Sequence, residues 1–207
     1  DGSENLIASA PVELEIGHDY TIYAYAPRIT EGIRLTAGNA VIPVAHATDL
    51  LYAPPVYLTS VSGKSHTAPL RFAHRMAQVQ FALAADEGYT LPEGISFSVS
   101  GFYRSAVMSL TDGIFSERSD AEESVGNRPP ELESETVCVI PDEAEQRLSL
   151  TVNDKDGPPR TKSFTYRLKA GYSYRFVIHY AASPTLEIIA AVVPWSTIDG
   201  GSIDIQG

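Results

Sequence analysis

The stretch Gly171-Tyr-Ser-Tyr-Arg-Phe-Val-Ile-His-Tyr180, followed after a short break by Leu186-Glu-Ile-Ile-Ala-Ala-Val-Val-Pro-Trp195, decides the fold of this 207-residue chain. In its first half Tyr172, Tyr174, Phe176, Ile178 and Tyr180 share one face. Ser173, Arg175 and His179 share the other, with Val177 as the exception. A period of two marks a strand with one face against a core. The second half is apolar on both faces, which predicts a strand covered on both sides. Pro194 has no N–H for a ladder and stops it, and Trp195 directly after it reads as a core residue.

Working outward, residues 12–16 and 20–26 alternate as strands, the second closed by Pro27. Residues 33–35 and 40–44 are short apolar pieces. Residues 49–53 run into Pro54-Pro55, predicted to end pairing, with 56–58 as a short edge strand. Leu70, Phe72, His74 and Met76 share one parity, whereas Val79, Phe81 and Leu83 share the opposite one. A phase change of one residue predicts a β-bulge, and a short helical turn across residues 73–78 is the alternative. Residues 95–101 alternate, and 106–110 with 114–115 read as a hairpin on an Asp112-Gly113 turn. Five further strands follow at 135–140, 146–152, 161–169, 172–180 and 186–193, and a short one closes the chain at 202–205. Regular strands separated by Pro, Gly and Asn turns describe a sandwich or barrel. We therefore expect two β-sandwich domains, residues 1–130 and 131–207. The first has an N-terminus that reads as trimmed, given the abrupt start at Asp1.

Between them, residues 117–145 hold ten acidic residues against two arginines, plus Pro129-Pro130. That composition predicts an interdomain linker or long surface loop. It is also the natural complement of a basic set, Arg160, Lys162, Arg167, Lys169 and Arg175, an asymmetry suited to head-to-tail contacts between copies, although a solvated surface is the reading to prefer. Arg71 and Arg75 share the polar face of their strand. The net charge of −11 disfavours nucleic acid and anionic membranes as partners.

Chemistry-bearing motifs are few. The single cysteine, Cys138, lies in an apolar run and reads as a buried structural thiol. The five histidines, at 18, 46, 66, 74 and 179, have no metal-ligand spacing. His74 reads as a core or boundary residue, and His179 as solvated. No Gly-x-Ser-x-Gly elbow or phosphate loop occurs. Asn153-Asp-Lys-Asp-Gly157 resembles the start of a calcium loop but lacks its later ligands, so a hairpin turn on Asp156-Gly157 is expected. We therefore expect no catalytic, cofactor-binding or metal-binding residues, no cofactor and no enzyme activity. The tyrosines Tyr20, Tyr23, Tyr25, Tyr52, Tyr172, Tyr174 and Tyr180 read as packing residues, with sugar stacking as the functional alternative.

Several segments together resemble the fimbrillin family of Bacteroidetes, the pilins and pilus accessory proteins of that phylum. They are Asp19-Tyr-Thr-Ile-Tyr-Ala-Tyr-Ala-Pro27, Asp49-Leu-Leu-Tyr-Ala53, Leu70-Arg-Phe-Ala-His-Arg-Met-Ala-Gln-Val-Gln-Phe81, Ala170-Gly-Tyr-Ser-Tyr-Arg-Phe176 and Val192-Val-Pro-Trp195. The resemblance implies an all-β fold of two transthyretin-like Greek-key β-sandwich domains, made as an exported lipoprotein precursor. It implies a cell-surface fimbrial location, associated with the outer membrane only through a lipid anchor on that precursor. It also implies partners: other pilus subunits by donor-strand exchange after cleavage behind a basic residue, and host or bacterial surface ligands. Arg28 is a weak candidate for that cleavage site, because it sits inside the family motif. The short tail past Trp195 leads us to expect a tip or accessory subunit rather than a stalk pilin. The alternative function is a secreted carbohydrate-binding surface lipoprotein.

Overall fold

A computed structural model describes residues 13–36, 38–59, 66–155, 157–180, 187–195 and 198–205. The strands are β1 (Tyr20–Ala26), β2 (Arg34–Thr36), β3 (Asn39–Ala45), β4 (Leu51–Leu58), β5 (His66–His74), β6 (Ala77–Ala85), β7 (Ser96–Phe102) and β8 (Ser105–Ser109). They continue as β9 (Phe115–Ser116), β10 (Glu123–Gly126), β11 (Val137–Val139), β12 (Gln146–Asn153), β13 (Arg160–Tyr166), β14 (Tyr172–Tyr180), β15 (Glu187–Pro194) and β16 (Ile198–Ile205). Four four-stranded sheets result, in the orders β1-β4-β5-β16, β2-β3-β8-β9, β11-β6-β14-β15 and β10-β7-β12-β13. No helix of the described residues is long and apolar enough to cross a membrane.

The all-β content matches the expectation, but the two transthyretin-like Greek-key sandwich domains are corrected. The strands make a propeller-like set of four small sheets, and sequential segments do not close on themselves. Three sheets combine strands from both sides of residue 130: β16 joins β5, β14 joins β6 and β12 joins β7. The β14–β6 pairing is parallel, Phe176 opposite Phe81, across some ninety residues of chain. Alternation reports which way a side chain faces and is silent about which strand lies alongside, so the pairing partners were out of its reach.

Two main cores follow from this pairing. One lies between the β11-β6-β14-β15 and β10-β7-β12-β13 sheets and contains Phe81, Phe97, Phe102, Leu148, Leu150, Phe176 and Ile178. The Phe81 and Phe176 rings stack at 4.8 Å between centroids. The other lies between the β1 and β2 sheets and contains Ile42, Leu50, Tyr52, Met76, Met108, Phe115 and Ile140. A small third cluster, Ala53, Leu70 and Phe72, sits on the β1 sheet.

The phase change after His74 is neither a bulge nor a helical turn. Strand β5 ends at His74 in one sheet, and β6 begins at Ala77 in another. Met76 is buried in the second core and Ala77 in the first, so changing sheets is what inverts the parity. Pro54-Pro55 does not end pairing either. Strand β4 runs through both prolines, which fall where the β1–β4 register shifts between Ile22 and Ala24. A bulge tolerates a residue that cannot donate. Residues 12–16 form no strand over their described part, 13–16.

The acidic segment is not a linker. Strand β10 pairs with β7 and β11 with β6. Ser134 is buried, with its Oγ accepting from the Phe81 amide at 3.0 Å. Asn127 caps the segment by accepting from the Phe97 amide and donating to the Ile95 and Glu131 carbonyls. Most of its acidic side chains face solvent, Asp142 being the chief exception, while the backbone is held on the sheets.

Candidate functional site

Strand β15 lies at one end of its sheet, pairing with β14 alone among the described residues. Its apolar side chains predicted cover on both faces, but Ile189, Val192 and Val193 are 51%, 44% and 58% exposed. Hydrophobic composition specifies that a strand wants burial, not that its own chain provides it. A long, exposed, apolar edge is a template for another strand, which proteins normally blunt with charge or proline. The charged residue Glu187 stands only at the start of β15, and Pro194 only at its end.

Trp195, just beyond, does pack on the second core. Its amide donates to the Gly171 carbonyl at 2.7 Å, and its indole stacks face to face on the buried His74 imidazole at 3.7 Å. His74 Nδ1 meets Asp49 Oδ1 at 2.8 Å, so the core reading of His74 and Trp195 is the observed one. The segment before β15, with the Ser183-Pro184 turn, lies outside the described residues.

Beside this edge, where the two cores meet, loops from four places enclose a cleft of about 660 Å³. Arg75 comes from the β5–β6 sheet switch, Arg118 follows β9, and Arg167 and Lys169 lie between β13 and β14. Asp142 and Glu143 also line it, Ile114 stands at its rim, and Tyr172 is shared with a shallower adjoining pocket that reaches Val192. Each arginine is seated by local chemistry. Arg75 donates from Nη2 to the Gly113 carbonyl and lies 5.7 Å from the Tyr52 ring centroid. Arg118 donates to the Pro141 carbonyl at 3.2 Å and lies 5.7 Å from the Tyr103 ring. The Tyr103 hydroxyl donates to Asp142 at 2.9 Å. Burial raises the Tyr52 and Tyr103 hydroxyls above the ordinary tyrosine range, so both rings stay neutral faces for their arginines.

Gly113 makes the Arg75 seat. The expected Asp112-Gly113 hairpin is present, with β8 paired to β9 and the Ile114 amide donating to Asp112 Oδ1 at 3.0 Å. Gly113 has φ +71°, and a Cβ there would lie 2.9 Å from Tyr52 Cε1 and 3.1 Å from Arg75 Cζ. Only glycine lets the carbonyl and the guanidinium approach this closely.

Several of the chain's other basic residues spend their charge internally. Arg175 meets Glu133 at 2.6 Å, Arg34 meets Glu117 at 2.6 Å, and Arg104 meets Glu122 at 2.9 Å and Glu123 at 3.2 Å. Much of the acidic segment is thus matched within the chain rather than held out for another copy. Arg160 Nη2 donates to the Tyr180 hydroxyl at 2.6 Å, and that hydroxyl donates to Asp154 at 2.8 Å. Arg75, Arg167 and Lys169 make no ion pair among the described residues.

The remaining sequence candidates disperse. His18 and His46 lie apart, and His179 is half-buried against Asp86 at 3.1 Å rather than solvated. Burial lowers the His46 imidazole below its usual range. Cys138 is half-buried, and burial lifts its thiol to about 11, which disfavours the reactive thiolate. Among the described residues no group of three His, Cys, Asp or Glu side chains is placed to hold a metal ion. Asn153 ends β12 within the β12–β13 hairpin, and Asp156 lies outside the described residues. Of the tyrosine set, Tyr52, Tyr174 and Tyr180 are buried and Tyr23 and Tyr25 pack on the second core. Tyr172 is the member left exposed beside the cleft. The cleft itself was not legible: Arg75 sits far from Arg167 in sequence, and only the sheet switch brings them to one cavity.

The sequence pattern of the fimbrillin-like family matches residues 11–195. No curated protein matches. Among solved structures, a candidate cell adhesion protein of Bacteroides ovatus superposes with a TM-score of 0.56 at 18% identity, over 90% of this chain and 71% of that one. One of Bacteroides uniformis gives 0.57 at 19%, over 86% and 72%. A candidate adhesin of Bacteroides ovatus gives 0.53 at 12%, over 94% and 76%. At these identities the likeness concerns the fold.

Proposed function

The chain belongs to the fimbrillin-like family, and from that premise we propose that it is a cell-surface adhesive subunit of fimbrial type, without enzyme activity, that joins sister subunits by strand addition. The observation that carries this is the β15 edge. Its outer backbone groups have no strand partner among the described residues, and its side chains Ile189, Val192 and Val193 are exposed. An incoming extended segment would take up those N–H and C=O groups for affinity and cover those side chains for register. The solved relatives named as candidate adhesion proteins support the adhesive reading. Export as a lipoprotein precursor and anchoring at the outer membrane belong to the same proposal. A cleft next to the joining edge suits a tip or accessory position, where a subunit meets ligands as well as neighbours.

The test uses the full-length secreted protein, treated with a trypsin-like protease and run unboiled in SDS. Wild type is expected to give ladders of SDS-resistant oligomers, and the Ile189→Lys/Val193→Lys variant monomers only, because two charges blunt the edge. A variant that polymerises like wild type would refute β15 as the joining edge. Monomeric wild type under every processing condition would refute assembly by strand addition.

A further inference from the structure

We propose that the cleft lined by Arg75, Arg118, Arg167 and Lys169 binds an acidic sugar, one or a few rings carrying a carboxylate or sulfate. The first reason is charge. The chain as a whole is acidic, with 26 acidic and 15 basic residues. Yet Arg75, Arg167 and Lys169, none of which makes an ion pair among the described residues, line one cavity. Arg118 joins them with only a 3.9 Å approach to Asp142. Guanidinium groups held by carbonyls and aromatic rings present fixed donors of the geometry that carboxylate and sulfate accept.

The second reason is shape and mixture. About 660 Å³ is the size of a small-ligand site. Asp142 and Glu143 share the lining; they would repel a phosphate-dense ligand but accept hydroxyl donors, which a singly charged sugar supplies in number. Tyr172 and Ile114, 36% and 57% exposed at the rim, offer apolar faces to the C–H side of a pyranose ring. Cations, acceptors and an exposed aromatic ring together match a sugar acid better than a bare anion. This site deepens the adhesive reading and rests on it, but it uses none of the β15 side chains whose replacement tests assembly.

The experiment is calorimetric titration of the intact chain with N-acetylneuraminic acid, a heparin-derived sulfated disaccharide, neutral lactose and sodium sulfate, at two salt concentrations. Saturable binding of at least one acidic sugar is expected, weaker at the higher salt, as screening requires. Lactose should show none. Arg167→Gln/Lys169→Gln removes two exposed side chains that hold nothing else in place, so it should weaken binding by about tenfold or more with an unchanged melting temperature. Tyr172→Ala should weaken the sugars and leave sulfate unaffected. Which acidic probe binds decides between carboxylate and sulfate. Failure of both to saturate, lactose binding equally well, or a double variant binding as wild type would overturn the site. Sulfate matching the sugars in affinity would overturn the sugar assignment. Loss of sugar binding with assembly intact would leave the subunit reading standing, and the converse result would leave the cleft.

Discussion

Replacing Gly113 by alanine tests the Arg75 seat directly. At φ +71° an L-residue bears a backbone penalty of about 1–2 kcal/mol. The new Cβ would also lie 2.9 Å from Tyr52 Cε1 and 3.1 Å from Arg75 Cζ and Nε. Tyr52 is buried and its hydroxyl donates to the Leu110 carbonyl at 3.2 Å, so the ring has little room to retreat. The guanidinium must move instead, losing its bond to the Gly113 carbonyl, a change of about 1–3 kcal/mol for a charged donor. Gly88 provides the internal reference: it has φ +82° and nothing within 4 Å of a built Cβ, so Gly88→Ala carries the backbone penalty alone. The difference between the two variants should be about 1–3 kcal/mol, or roughly 2–12 °C in melting temperature for a chain of this size. Thermal unfolding followed by far-ultraviolet circular dichroism reads both. Equal shifts for Gly113→Ala and Gly88→Ala would refute the contact between the turn and Arg75.

Phe81 and Phe176 are fully buried, stacked partners across the parallel β6–β14 pair. Each Phe→Ala change should cost about 3–5 kcal/mol in denaturant unfolding. The double-mutant cycle should leave a coupling of about 0.5–1.5 kcal/mol, and strict additivity would contradict the stacking. For Cys138, a thiol raised from 9.0 to about 11 is protonated preferentially in the folded state. Its contribution to stability is therefore complete below pH 9 and lost as pH rises towards 11. Iodoacetamide at pH 8 should label the native thiol about a hundredfold more slowly than the urea-unfolded chain, and equal rates would overturn the assignment. The Arg175–Glu133 pair is about half exposed on both sides. Arg175→Ala should change stability by less than about 1 kcal/mol, and a larger loss in chemical denaturation would show a structural role that the exposed geometry lacks.

The sequence and the structure divide the work in a way that particular residues make plain. The facing of β14 was legible except at its start: Tyr174, Phe176, Ile178 and Tyr180 are buried, as the alternation required, whereas Tyr172, expected on the same face, is exposed. The Asp112-Gly113 turn and the core roles of His74 and Trp195 were equally legible, because each depends on local composition. The linker reading of residues 117–145 failed because acidic composition describes side chains, whereas Ser134 and Asn127 hold that segment through its backbone. The bulge reading after His74 failed because a parity change has two physical causes, and a switch between sheets leaves the same trace in the sequence as an inserted residue.

What the sequence by itself determined is therefore the strand content, the buried face of most strands and, through its motifs, the family. Those follow from short-range rules, since a pleated strand exposes alternate side chains to opposite sides wherever it lies. Only the tertiary structure decided which strands pair, that four sheets form in place of two sequential sandwiches, and that β15 is an edge strand left exposed among the described residues. It alone placed Arg75, Arg118, Arg167 and Lys169 around one cleft. Pairing is a competition among all strands for partners, and its outcome depends on contacts between residues far apart in the chain. A local pattern such as the apolar run of β15 states a need for cover. Where that cover comes from is settled by everything else in the fold, or by another molecule.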